Sequence, residues 1–158
     1  MTLSLPTIDA IGNLTSTLLG KSIKVDRCPA LVTANIRATA TYYDSAGELA
    51  FLAVSDMAFL AGVGAALAMV PPPTVVDAIR TNKPPQPIVD NAYEVFNVLA
   101  SLFNDAPGAA VHVKVRELSV GALKPDLAKR LLKPGARLDL VSKIPSYPDG
   151  KLGLVALR

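Results

Sequence analysis

Apolar residues recur along the chain at two spacings, every second position and every third to fourth, and these spacings mark out its elements. Ile8, Ile11, Leu14 and Leu18 share one helical face, Thr7 can cap the first turn, and Gly20 ends the helix. After a connection around Cys28-Pro29, residues 32 to 43 are rich in Thr, Ala, Ile and Tyr, and residues 48 to 54 form a second β-like run. Asp44-Ser45-Ala46-Gly47 between them is turn chemistry, so the pair reads as a hairpin. The stretch from 51 to 70 is apolar except for Ser55 and Asp56. Its first half alternates like a strand, and Ser55 caps a helix from 57 to 70 that Pro71-Pro72-Pro73 stops.

A short amphipathic helix is expected over 74 to 81, and a proline-rich connector, 83 to 87, leads into a segment from 88 to 104. That segment holds neither proline nor glycine and reads as a long helix. Asp105 to Gly108 makes a turn, after which Val111, Val113 and Val115 alternate with His112, Lys114 and Arg116, a strand with one basic, solvated face. Residues 125 to 132 form one short helix before a Pro134-Gly135 break. Two final strands, 137 to 144 and 151 to 157, are joined through Asp149-Gly150. This order predicts an α/β chain of the α+β type, an antiparallel-rich sheet with two long helices packed on it.

Composition narrows the class. Hydrophobic residues make up 51% of the 158 against 18% charged, with the excess in Ala, Leu and Val, which is a globular composition fitting a single domain over 1–158. A formal charge of +3 biases encounter with an acidic partner and is too small to imply nucleic acid. The single cysteine, Cys28, excludes an internal disulfide and fits a reducing compartment. The first residues lack the basic start and apolar run of a signal peptide, so the expected location is the cytoplasm. A membrane-spanning helix needs about twenty apolar residues. Ser55-Asp56 divide the run from 51 to 70, and the portion beyond them is too short to cross, so a buried core helix is expected there instead.

Common catalytic constellations are missing. One histidine, His112, and one cysteine, Cys28, leave no cluster with metal-ligand spacing, and a Cys-His pair would need both to leave their expected places in core and strand. Gly20-Lys21-Ser22 resembles the end of a phosphate-binding loop, yet Thr15 stands where that loop requires glycine and a helix precedes it, so it reads as a helix end. Gly62-x-Gly64 lies within an apolar helix and serves close packing. Asn13-Leu14-Thr15 matches a glycosylation acceptor by chance, within a helix.

The informative pattern lies in the long helix. Asp90, Glu94, Asn97, Ser101 and Asn104 recur at intervals of four, three, four and three. At about 100° per residue they form one stripe roughly 80° wide, flanked by Asn91, while Val, Ala, Tyr, Phe and Leu fill the remaining faces. Glu94 and Asn97, three apart, are neighbours able to meet one partner together.

Asp90-x-x-x-Glu94-x-x-Asn97 on such a helix resembles the consensus of the CheC, CheX and FliY phosphatases of bacterial chemotaxis, in which Asp or Ser is followed by Glu four residues on and Asn three further. The likeness extends to the order of elements found in CheX, over almost the whole chain: opening helix, hairpin, capped apolar helix, helix with the motif, terminal strand pair. One such motif occurs here, as in CheX, whereas CheC carries two. Ser101 stands where relatives usually have glycine and keeps a small side chain on the stripe. Phe96 replaces a commonly small residue but points away from Glu94, and Val120 lies near the place of a family proline.

The resemblance implies a CheC/CheX-like fold and a phosphatase acting on the aspartyl-phosphate of a CheY-like response regulator. That partner would bring the phosphoryl group, the Mg²⁺ and a lysine, so the chain would have no cofactor of its own. Phosphoryl transfer asks mainly for positioning and electrostatics. Asn97 would orient water in line, Glu94 would pair with the partner's lysine and anchor the helix, and Asp90 and Ser101 would flank them as partner-binding residues. The resemblance also admits a homodimer of the kind CheX forms. Two other readings stand beside it: a non-catalytic module of the same fold that docks a response regulator or motor component, and a structural domain whose polar stripe is a wet edge.

Overall fold

The computed structural model describes residues 3–158. In chain order it contains α1 (Ile8–Leu19), β1 (Lys24–Arg27), a 3-10 turn (Thr33–Asn35), β2 (Ala38–Asp44), β3 (Leu49–Ser55), α2 (Met57–Ala68) and α3 (Pro72–Thr81). Next come α4 (Gln86–Asn104), β4 (Val113–Val120), α5 (Pro125–Leu131), β5 (Ala136–Lys143) and β6 (Gly150–Ala156). The strands form one six-stranded sheet in the order β1-β5-β6-β3-β2-β4, and each neighbouring pair runs antiparallel. The expected α/β fold with an antiparallel sheet and two long helices is the one observed.

Alternation along the strands sorts side chains between two apolar layers. Ala38, Ala40 and Tyr42 of β2, Phe51 and Ala53 of β3, and Leu152, Leu154 and Ala156 of β6 face α2 and α4 in the main core. Leu52, Val54 and Val155 face the other way and meet Leu31, Ile36 and Leu131 under α5. With both faces covered, β3 is buried almost throughout. Aromatic rings knit the main core: Phe51 stacks on Phe103 at 4.2 Å between centroids, and Phe59 meets the edge of Phe96 at 5.9 Å.

The second layer is latched by a buried charge. Asp139 on β5 receives a two-pronged bond from Arg137, at 2.7 and 3.1 Å, and the amide of Leu31 at 2.8 Å. Arg137 in turn donates to the Leu31 carbonyl, so the segment before the 3-10 turn is tied down by both of that residue's peptide groups. Gly153 on β6 makes room for the latch, since a Cβ there would lie 2.8 Å from the Asp139 carboxylate.

Several local expectations are corrected. Asp56, not Ser55, caps α2: its Oδ1 accepts the amide of Phe59 at 2.8 Å and that of Lys151 at 3.1 Å, while Ser55 is buried in β3 with its hydroxyl on the Asp56 carbonyl. Burial pushes the Asp56 carboxyl above its ordinary value despite those bonds. The helix from 57 does not run to 70. It closes at Met69, which takes a left-handed conformation, and Pro71 and Pro72 open α3, where a missing N–H costs nothing. Residues 32 to 37 are a 3-10 turn and its flanks, so the first hairpin strand begins only at Ala38. The basic strand begins at Val113 and extends to Val120, leaving Val111 and His112 ahead of it. β1 was not foreseen; it exists by pairing with β5.

Candidate functional site

α4 is held against the core by three neighbours, α2, β2 and β4. Ile88, Ala92, Val95, Phe96, Leu99 and Phe103 form its buried face. Where it crosses α2, a Cβ on Gly64 would collide with the Ile88 carbonyl oxygen, so glycine allows the two backbones to meet directly, the packing role foreseen for it. Tyr42, fully buried on β2, donates its hydroxyl hydrogen to the Phe96 carbonyl at 2.6 Å, within the turn that carries Glu94 and Asn97. At the far end Asn104 bonds the Val113 backbone both ways, accepting its amide at 2.7 Å and donating to its carbonyl at 3.1 Å. Asn104 therefore serves as a clamp between α4 and β4 rather than as part of a free edge.

The remaining members of the stripe face solvent. Asp90, Glu94, Asn97 and Ser101 are exposed, and Phe96 and Leu99 beside them are buried. Asp90 accepts a bond from Gln86 at 2.8 Å, and the Ser101 hydroxyl donates to the Val98 carbonyl one turn back at 2.7 Å. Ser101 thus lies folded onto its own helix, leaving a low profile. Among the described residues nothing bonds or ion-pairs with the side chains of Glu94 and Asn97. Their hydrogen-bonding capacity is open to a partner: a carboxylate that can accept from a cation, and a carboxamide that both donates and accepts.

This site is a ridge: the surface cavities at the ends of α1 and α2, beside β4, and near the start of α2 include none of its residues. Such a shape suits insertion into a partner's cleft rather than enclosure of a small substrate. Among the described residues no group of three or more His, Cys, Asp and Glu is placed to hold a metal ion, and no helix is long and apolar enough to cross a membrane.

The other candidates resolve into structure. Cys28 follows β1 at one edge of the sheet, where its amide bonds the Asp139 carbonyl, and His112 precedes β4 at the opposite edge, so the two do not meet. Burial, with Asp139 nearby, pushes the Cys28 thiol upward and away from the reactive thiolate. Gly20 is the left-handed cap of α1, its amide returning to the Ser16 carbonyl. Sequence patterning had missed Tyr42: a strand aromatic with a hydroxyl signals burial with a polar tether but does not say to what.

No family model and no curated protein matches the sequence. Solved structures do match in three dimensions. A chain of the CheX–CheY–BeF3–Mg²⁺ complex from Borrelia burgdorferi is matched with a TM-score of 0.61 and 12% identity, over 94% of this chain and 94% of that one. A chain of the FliM–SpeE complex from H. pylori gives 0.65 at 4% identity, over 92% and 79% respectively. The FliM middle domain from Vibrio alginolyticus gives 0.62 at 7%, over 93% and 86%. With TM-scores of 0.61 to 0.65 over more than nine-tenths of its length, this chain has the fold found among CheX- and FliM-type structures.

Proposed function

We propose that this chain is a single CheX-like domain that acts as a phosphatase in trans, hydrolysing the aspartyl-phosphate of a CheY-like response regulator. The observation that carries the reading is the pair Glu94 and Asn97, adjacent, exposed and without internal bonds, on a helix whose opposite face is pinned to the core. Rigid presentation is what an insertion mechanism needs, because the rate gain comes from positioning. Asn97 aligns water with the phosphorus, and Glu94 pairs with a lysine of the regulator. Asp90 and Ser101 contact its rim, and the metal of the reaction, Mg²⁺, arrives on the regulator. The solved CheX of this fold is in complex with CheY, BeF3 and Mg²⁺, which supports the choice of partner.

A second reading is a docking module without catalysis. It is favoured by the FliM structures: a chain of the FliM–SpeE complex and the FliM middle domain match this fold as closely as the CheX–CheY complex does, and a chain of the FliG–FliM complex matches it less closely. Phosphate release from a phosphorylated CheY-like regulator, compared between the parent chain and Asn97→Ala, separates the two. Release by the parent that is lost in the variant supports the phosphatase; binding of the regulator with no acceleration by the parent supports the docking module.

A further inference from the structure

β4 is an outermost strand of the sheet, and the basic face that its alternation forecast plays no part in the α4 ridge. Val113, Val115 and Leu118 pack toward α4 and the core. Lys114 and Arg116 leave from the opposite face, with His112 just ahead of the strand, and all three are exposed. The ladder with β2 slips between Thr41 and Tyr42, which leaves Arg116 as the extra residue of a bulge. Its guanidinium lies over the ring of Tyr43, 3.7 Å from the centroid, so one cation is held in place. With Asp44 and Ser45 these residues line an open cavity of about 660 Å³.

The nearby acids are already engaged. Asp44 is bonded by Arg158 at 2.7 Å and by the amides of Ala46 and Glu48, and Glu48 itself faces Arg158 at 3.4 Å. Glu117 accepts from Ser119 and Lys124. Among the described residues Lys114 and Arg116 have no ion-pair partner.

We propose that this shelf docks an acidic, extended segment of a partner protein, laid alongside β4 with carboxylates over Lys114 and Arg116. Beyond Val113, whose backbone is taken by Asn104, β4 is an unpaired edge that can offer main-chain groups to an added strand. Carboxylates at alternate positions of such a strand fall on one face, matching the alternate placement of the two cations. A second copy of this chain, paired antiparallel through the same edge, would set those cations against their own kind. Nucleic-acid affinity rests on many phosphate contacts, more than two or three cations supply. Because the shelf faces away from α4, it can be occupied while the ridge is engaged.

The test uses a peptide of 8 residues, the length of β4, with glutamate at alternate positions, and a matched glutamine peptide, titrated into isotope-labelled chain at low salt. Resonance shifts should map to residues 112 to 118 and Tyr43, fail with the glutamine peptide, and weaken about tenfold in affinity in Lys114→Glu/Arg116→Glu. Both substituted positions are exposed, so the fold should survive, and the spectrum itself reports it. The idea is overturned by absent shifts, by equal binding of the glutamine peptide, or by unchanged affinity in the double variant. It is equally overturned by tighter binding of a single-stranded oligonucleotide at the same residues, or by self-association that fills the β4 edge instead.

Discussion

Glu94 and Asn97 leave the same turn of α4 with different chemistry, so their variants should diverge. Asn97→Ala removes a water-orienting amide but leaves the docking surface, and single-turnover phosphate release should fall by on the order of a hundredfold with regulator binding nearly unchanged. Glu94→Lys sets like charges together and should abolish association, measured by titration with the same regulator. Equal loss of binding in both would remove the division of roles. The ridge was legible in the sequence because its polar residues repeat at helical spacing within an apolar segment. Its supports were less so: Asn104 belongs to the same stripe by spacing, yet its amide is consumed by β4, a contact that arises only once strand and helix have met. Ser55 and Asp56 are both good caps; which one serves was decided by burial of the serine within β3.

Between elements, the tightest constraint is the crossing of α2 and α4 at Gly64. Gly64→Ala places a methyl group against the Ile88 backbone, which cannot turn aside as a side chain would. We expect a loss of about 2 to 3 kcal/mol, read as a lower urea midpoint with the slope unchanged. An unaltered midpoint would mean that the helices can separate at little cost. Element types were readable wherever one period ran long enough, as in α1, α4, β3 and the final strand pair. β1 was hidden because Lys24-Val25-Asp26-Arg27 carries no apolar alternation and is a strand only through its partner β5. β-branched Val32 and Thr33 pointed to extended structure, while Asp139 and Arg137, more than a hundred residues away, hold that segment in a different course. The prolines that follow the end of α2 also open α3, since the same residue suits the stop after one helix and the first turn of the next.

Across the whole molecule, two carboxylates make stability depend on pH in opposite senses around a shared ordinary value of 3.8. Amides of the hairpin and Arg158 lower the Asp44 pKa, so its contribution is complete above 3.8 and is lost as pH falls through the depressed value. Burial raises the Asp56 pKa, so folding favours its protonated form, and stability declines as pH rises from 3.8 through the raised value. Urea midpoints across the acid range should show Arg158→Ala flattening the lower limb and Asp56→Asn flattening the upper one; a variant that flattens the other limb would reverse the assignment. The sheet order has a consequence for how the chain is made. β6 lies between β5 and β3, so β3 leaves the ribosome long before its neighbour exists. Leu49–Ser55 carries no charge and no proline and is buried almost throughout in the finished sheet, which makes it a template for aggregation while that edge stays open. A nascent chain halted before Ala136 should precipitate or bind chaperones, whereas a peptide spanning 136 to 158, supplied during refolding, should return it to solution by filling the gap.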